Sequence, residues 1–289
     1  MTMQKRNLII DSNNLLHRVH WVCNKHKYIS VPKMFFQCIR SYAHEHMITP
    51  GCIYTAWDDK LVKGSTNHRK QSEVVEYKST RDHEKNAHVY KIYRHIRRMC
   101  QHAGFINMHP GVLECDDVIA HLSKTLSGHN VIVSVDQDML QLINSATDVY
   151  DPIKKRIITE QNFDQLMPVR VEQFVHYKAL MGDKSDNIPG IPKVGPKRAA
   201  AILNEGVSIL PEAHMEIYKR NLTLMDLQYS LDNYPGETKL YDKQLELATS
   251  KVQLELLMKE CESIDCKDLK TDLITTMYTE KKSVIQTLS

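Results

Sequence analysis

A chain of 289 residues, 42% apolar and 25% charged, has ordinary globular composition and enough length for one large α/β domain or a domain with an appendage, so wholesale disorder is excluded. No apolar run approaches the roughly 18 residues a membrane helix needs, and the short run before Asp11 is no signal-peptide core. Thirty-eight Lys and Arg against 35 Asp and Glu leave a net +3, a total that gives no hint of a nucleic-acid partner. Seven scattered cysteines without a CxxC point to reduced buried thiols rather than a disulfide or zinc framework.

In chain order, Asn7–Asp11 reads as a compact strand ending in an acid, followed by helix to about Lys25. Val31–Met47 is expected to be helical, and Cys52–Trp57 is a second strand ending at Asp58 and Asp59. The segment from Lys60 to Arg98 is strongly basic, with eleven Lys and Arg against four acids, a local +7. A solvated loop feeding a helix is the plain explanation of such a run. Phe105–Met108 is a weak third strand, and Cys115–Leu126 has helical periodicity, with Val118, Ile119, Leu122 and Leu126 on one side. His129–Val135 is the clearest strand and also hands over to an acid, Asp136. Strands alternating with helices predict a largely parallel sheet covered on both faces, with ligands beyond its carboxyl edge. After about Val169 the pattern is helical to the end, broken at 189–196, at Pro211 and at Pro235-Gly236.

Nine acids stand at element ends: Asp11, Asp58, Glu114, Asp116, Asp117, Asp136, Asp138, Asp183 and Asp186. Glu114 and Asp117, three apart, share a helical face. One acid there could be a helix cap, and Asp136-Gln137-Asp138 alone could be a turn. If the set converges, mutual repulsion forces protonation unless cations neutralise it, and oxygen-only ligation suits Mg²⁺ or Mn²⁺. Two such ions can activate water and stabilise a leaving oxygen in phosphodiester hydrolysis. Further along, a tight turn from Gly190 to Gly195 leads into an Ala-rich helix with Lys197 and Arg198 in its first turn. Glycines admit phosphate oxygens to backbone N–H groups and a helix N-terminus favours an anion, so this segment reads as a contact to a duplex backbone.

These blocks resemble the 5′-nucleases of the flap-endonuclease superfamily, above all the free-standing phage 5′-exonuclease (ribonuclease H) type and the 5′-nuclease domain of bacterial DNA polymerase I. The matching stretches are Ile10-Asp11-Ser12-Asn13-Asn14-Leu15, Trp57-Asp58, Tyr77-Lys78-Ser79-Thr80-Arg81, Glu114-Cys115-Asp116-Asp117, Asp136-Gln137-Asp138 and residues 181–190, in that order. Asn221-Leu222-Thr223-Leu224-Met225-Asp226 is similar to a segment of phage members.

The resemblance implies an α/β fold: a PIN-like core with a largely parallel sheet over residues 1–168, a helical arch at about 60–98, and a helical DNA-binding region over 169–289. That region would hold a helix–hairpin–helix (helix-three-turn-helix) motif at about 183–203. It further implies Mg²⁺-dependent hydrolysis of DNA 5′ ends and 5′ flaps and of RNA in RNA–DNA hybrids, with two ions and Mn²⁺ able to substitute. Asp11, Asp58, Glu114, Asp116 and Asp136 would serve one metal centre, with Asp117, Asp138, Asp183 and Asp186 completing the cluster. Lys78 and Arg81 would act on the scissile phosphate. Tyr77 would stack on a base, and Arg69, Gly190, Gly195, Lys197 and Arg198 would contact DNA. A monomer in the cytoplasm is expected, the infected host's if phage-encoded, assisted by a single-stranded-DNA-binding or polymerase protein of the replication machinery. The end at Ser289, without a polymerase region or the paired aromatics of a sliding-clamp peptide, fits a stand-alone enzyme. A non-catalytic DNA-binding relative should have lost acids or Lys78, and a PIN-type ribonuclease should lack the Pro/Gly turn.

Overall fold

Leu8, Ile9 and Ile10 of β1 (Arg6–Asp11) are wholly buried, because the strand has neighbours on both edges and helices over both faces. The computed structural model describes residues 5–26, 29–58, 61–62, 64, 66–71, 76–78, 87–266, 268–269 and 273–275. β1 runs directly into α1 (Ser12–Lys25), with Asp11 as its N-cap, and Ser30 caps α2 (Val31–Glu45). β2 (Ile53–Ala56) pairs in parallel with β1, Leu8 opposite Ile53 and Asp11 opposite Ala56. α3 (Ala87–His102) leads to β3 (Ile106–Met108) on the far side of β2. α4 (Cys115–Thr125) leads to β4 (His129–Val133), which takes the other edge of β1.

These elements match the predicted ones to within a few residues at each end. β5 (Thr147–Asp151) and the antiparallel β6 (Arg156–Ile158) extend the sheet beyond β4, giving the order β3-β2-β1-β4-β5-β6. Neither had been singled out in the sequence. β6 has only three residues; β5 is a strand because β4 offers it a partner edge, and β6 because β5 does in turn.

After α5 (Phe163–Leu166) and α6 (Phe174–Met181) the described residues form helices and loops, with the two-residue strands β7 (Gly182–Asp183) and β8 (Ile188–Pro189). α7 (Pro196–Glu205), α8 (Glu212–Met225), α9 (Leu227–Asn233), α10 (Pro235–Leu247) and α11 (Leu254–Ser263) follow. The helical region is not a separate body. Ile191, Ala199, Ile202, Tyr218, Leu231 and Tyr241 share one apolar core with Ile9, Ile119 and Ile132 of the sheet side.

α11 goes further and crosses to the opposite face, where Leu257 and Cys261 pack in the same core as α1, α2 and α3. Glu260 of α11 accepts from Arg98 of α3 at 2.7 Å and contacts His95. The expected division at residue 168 is thus crossed by packing, since buried apolar area from both segments is shared.

The expected arch at 60–98 is divided. α3 is a core helix, with Val89, Ile96 and Met99 buried and the Tyr93 ring edge-on to Trp57 at 5.1 Å. Its Lys91, Arg94, Arg97 and Arg98 belong to the charge run, yet its apolar face packs into the core. Residues 79–86, including Arg81, lie outside the described residues.

Candidate active site

Parallel pairing of β2, β1 and β4 brings their carboxyl ends side by side, with Asp11 the last residue of β1 and Asp58 and Asp136 just beyond β2 and β4. Asp11 Oδ1 caps α1 through the Asn14 N–H at 3.0 Å, and Oδ2 accepts the Ser134 hydroxyl at 2.7 Å. Burial nevertheless pushes Asp11 up to about 6, with Asp136 and Asp58 adding repulsion. Asp58 accepts from Asn13 at 2.6 Å and from the Cys115 N–H at 2.9 Å, which ties the β2 end to the start of α4. Asp136 caps a 3-10 helix over Gln137–Leu142 through the Asp138 N–H.

Glu114 is the N-cap of α4, and Asp117 at N3 accepts the Glu114 N–H at 3.0 Å, a reciprocal cap. The three acids of this turn then diverge. Asp116 faces the cleft, no hydrogen-bond donor reaches its carboxylate among the described residues, and burial followed by Asp136 pushes it well above the carboxylate range. Glu114 Oε2 accepts from Lys78 Nζ at 2.7 Å and from the Tyr77 hydroxyl at 2.9 Å. Burial would raise Glu114, yet Lys78 and Arg69 hold it down at about 2.

Asp117 and Arg69 correct the sequence reading. The Asp117 side chain has no exposed surface and is gripped by both Arg69 terminal nitrogens, at 2.7 and 2.8 Å. Arg69 is 2% exposed, and its Nε and Nη2 also donate to the Leu224 carbonyl at 2.9 Å and the Ser230 hydroxyl at 2.8 Å. Asp117 is wholly enclosed, and Arg69 borders the cleft while its Nη1 also lies 3.8 Å from Glu114 Oε2. In this structure the two side chains meet each other and support the site from within.

A second group of acids hangs from the helical region. Lys178, in the last turn of α6, bridges Asp138 and Asp183, the latter at 2.7 Å. Burial would raise Asp183, but Lys178 and Ser185 hold it at about 2, whereas burial pushes Asp138 up to about 6 in spite of Lys178. Asp186 Oδ2 lies 3.8 Å from Lys78 Nζ, and its carbonyl accepts the Lys78 N–H at 3.0 Å. That bond holds Lys78 in a left-handed conformation, φ 57°. Asp116, Asp138, Asp183 and Asp186 line one cleft with Tyr77.

Lys178 was missed in the sequence because a lysine on an apolar helix carries no motif; its place five residues before Asp183 was the available signal. Tyr77, expected to stack on a base, instead donates to Glu114, with Lys78 Nζ 4.8 Å above its ring.

The turn before α7 is built largely from its own backbone needs. A Cβ on Gly190 would stand 2.0 Å from the Met181 carbonyl oxygen, and one on Gly182, at φ 74°, 2.2 Å from the Gly190 nitrogen. Glycine is required at both by the β7–β8 approach itself. Buried Asn221 clamps that hairpin, donating to the Ala179 and Pro189 carbonyls at 2.8 and 3.0 Å. Gly195, the N-cap of α7, has open space around it, and Lys197 and Arg198 are exposed beside it.

Among the described residues no three His, Cys, Asp or Glu side chains are drawn in around a single ion position. The donor set still fits a hard divalent cation: it is all oxygen, and Asp11 and Asp116 are raised by burial and repulsion that a cation would relieve.

The profile of the 5′-3′ exonuclease N-terminal resolvase-like domain matches residues 6–179, and that of the C-terminal SAM fold matches 169–272. The chain belongs to the 5′-3′ exonuclease family. Among family relatives, a 5′-3′ exonuclease of Halalkalibacterium halodurans is 29% identical over 93% of this chain and 89% of its own length. The flap endonuclease Xni of Shewanella loihica is 28% identical over 68% of this chain and 75% of its own. The T5 D15 protein, co-crystallised with metal ions, shares the fold, with a TM-score of 0.68 and 24% identity over 87% of this chain and 99% of that one.

Proposed function

We propose that this exonuclease-family chain is a divalent-metal-dependent 5′-nuclease that hydrolyses phosphodiesters at DNA 5′ ends and 5′ flaps, and the RNA of RNA–DNA hybrids. One observation carries the reading. Three adjacent parallel strands and a helix N-terminus deliver Asp58, Asp11, Asp136 and Asp116 to a single edge, with a lysine beside them.

Asp11, Asp58, Glu114, Asp116 and Asp136 are the residues that would hold one Mg²⁺, and Asp138, Asp183 and Asp186 a second, with Mn²⁺ able to replace either. Such ions lower the pKa of a bound water and neutralise charge on the phosphate. The chain's own groups do the rest. Lys78, whose Nζ is within reach of Glu114 and Asp186, would offset charge on the scissile phosphate, as would Arg81. Tyr77 is positioned by Glu114 and would exchange that hydrogen bond for a base face when the terminal nucleotides unpair. The exposed α7 N-terminus with Gly195, Lys197 and Arg198 would hold a duplex phosphate without reading sequence. Such an enzyme acts as a monomer in the cytoplasm beside single-stranded-DNA-binding and polymerase proteins.

The test is cleavage of a labelled 5′-flap duplex and an RNA–DNA hybrid, with Mg²⁺ and with EDTA. Products at the 5′ end that need Mg²⁺ are expected; no metal-dependent cleavage of either substrate would sink the reading.

A further inference from the structure

Glu237, Tyr241 and Gln244 lie at i, i+4 and i+7 on one face of α10, and that face grips the loop over 109–112 by its backbone. Glu237 is 5% exposed and forms no salt bridge among the described residues. Its Oε2 accepts the Gly111 N–H at 2.8 Å and the Tyr241 hydroxyl at 2.7 Å, while Oε1 accepts the Val112 N–H at 2.8 Å. Gln244 pairs with His109 in both directions, accepting its N–H at 2.9 Å and donating to its carbonyl at 2.8 Å. A Cβ at position 111 would stand 2.3 Å from Glu237 Oε1, so the glycine lets the carboxylate close on the chain. A carboxylate satisfied in this way resists any shift of the loop, because a shift would leave it buried and unpartnered.

The opposite edge of the same loop carries the cleft. The carbonyls of Met108, Pro110 and Gly111 accept the N–H groups of Trp57, Leu61 and Val62 at 3.0, 2.9 and 3.2 Å, on either side of Asp58. Two residues after Val112 the chain reaches Glu114, and the Cys115 N–H donates to Asp58.

We propose that Glu237, seconded by Gln244, is a positioning residue of the nuclease site. It holds the 109–112 loop, and through it the spacing between Asp58 on one side and Glu114 and Asp116 on the other. This gives α10, far from the acidic motifs in sequence, a part in their geometry, and it rests on the nuclease reading above.

Three measurements test it. In the wild-type protein the Gly111 and Val112 amides should exchange hydrogen as slowly as those of β1. In titrations with Mn²⁺ alone, followed by electron paramagnetic resonance, Glu237→Gln and Gln244→Ala should weaken binding by about tenfold. On a 5′-flap duplex the same variants should lower kcat by roughly 10- to 100-fold with KM unchanged. Glu237→Asp, which keeps two acceptor oxygens, should recover part of both losses.

Fast exchange at Gly111 and Val112 in the wild type overturns the proposal. So do variants that melt lower yet bind Mn²⁺ and turn over like wild type, for then Glu237 only stabilises the fold. If the Glu237 variants fail to fold, Gln244→Ala decides, since it removes only the bonds to His109. A wild-type protein that cuts neither substrate overturns the nuclease reading instead, and Mn²⁺ binding with amide exchange then decides the clamp by themselves.

Discussion

Two parts of one acidic cluster are held in opposite ways. Where the sheet edge meets the first turn of α4, Asp11 and Asp116 are pushed up by burial and by the acids around them, with no cation hydrogen-bonded to either among the described residues. On the α4 cap and the helical side, Glu114 and Asp183 are held down at about 2 by Lys78, Arg69 and Lys178. Carboxylates of one site therefore stand in opposite states, Glu114 and Asp183 with a countercharge from the fold and Asp11 and Asp116 without one, while Asp138, bonded to Lys178 yet raised to about 6, lies between them. Carboxylates that are already neutralised order the site; carboxylates left in mutual repulsion are the ones on which a divalent ion would act most strongly.

The contrast can be broken most sharply at the sheet edge. Asp136→Ala or Asp116→Ala should lower Mg²⁺-dependent flap cleavage by on the order of 10³-fold or more, while a filter-binding assay in EDTA still shows DNA bound. Loss of binding along with cleavage would make these residues structural.

The next effect belongs to the neutralised part. Arg69→Met leaves Asp117 buried without its countercharge, with only the Glu114 N–H still bonded to it, and should cost about 3–5 kcal/mol of stability in a denaturant titration. A change below about 1 kcal/mol would show that the pair is not buried in solution.

The pH dependence of the metal-free protein should separate the two parts by sign. Asp11, raised to about 6, favours the protonated form in the fold. Its stabilising contribution is complete below its unfolded pKa and is lost as the pH rises through about 6. Glu114 and Asp183, held at about 2, contribute above the usual carboxylate range and lose that contribution as the pH falls towards 2. Asp11→Asn should therefore stabilise the protein in EDTA by about 1–3 kcal/mol at about pH 7.5, with the gain vanishing near about pH 4. Equal gains at both pH values would contradict the assignment.

The smallest effect is expected at the exposed α7 N-terminus. Lys197→Ala should weaken binding a few-fold across sequences and flatten the log–log salt dependence by about one unit. An unchanged slope would remove Lys197 from the DNA contact.

Much of this was legible in the residues themselves. Val131, Ile132 and Val133 running into Asp136, or Leu8, Ile9 and Ile10 running into Asp11, announce buried strands with acids at their ends, because period and burial are local properties. The turn from Gly190 to Gly195 was legible too, although Gly190 serves the close approach of β7 and β8 while Gly195 has open space around it. Glu114, Asp116 and Asp117 were not separable. Their spacing says which face of α4 each occupies, but not that Arg69, 48 residues earlier, would arrive to claim Asp117.

The sequence by itself determined the α/β alternation, the acids at the sheet's carboxyl edge and the family to which they belong, since each rests on local periodicity or ordered motifs. The tertiary structure alone decided which acids receive a protein cation, that Lys178 bridges Asp138 and Asp183, that α11 returns to the first core and that Glu237 grips the 109–112 loop. Apart from the five-residue step from Lys178 to Asp183, those outcomes depend on contacts between residues tens to more than a hundred positions apart, where chain spacing carries no information and only packing chooses the partner.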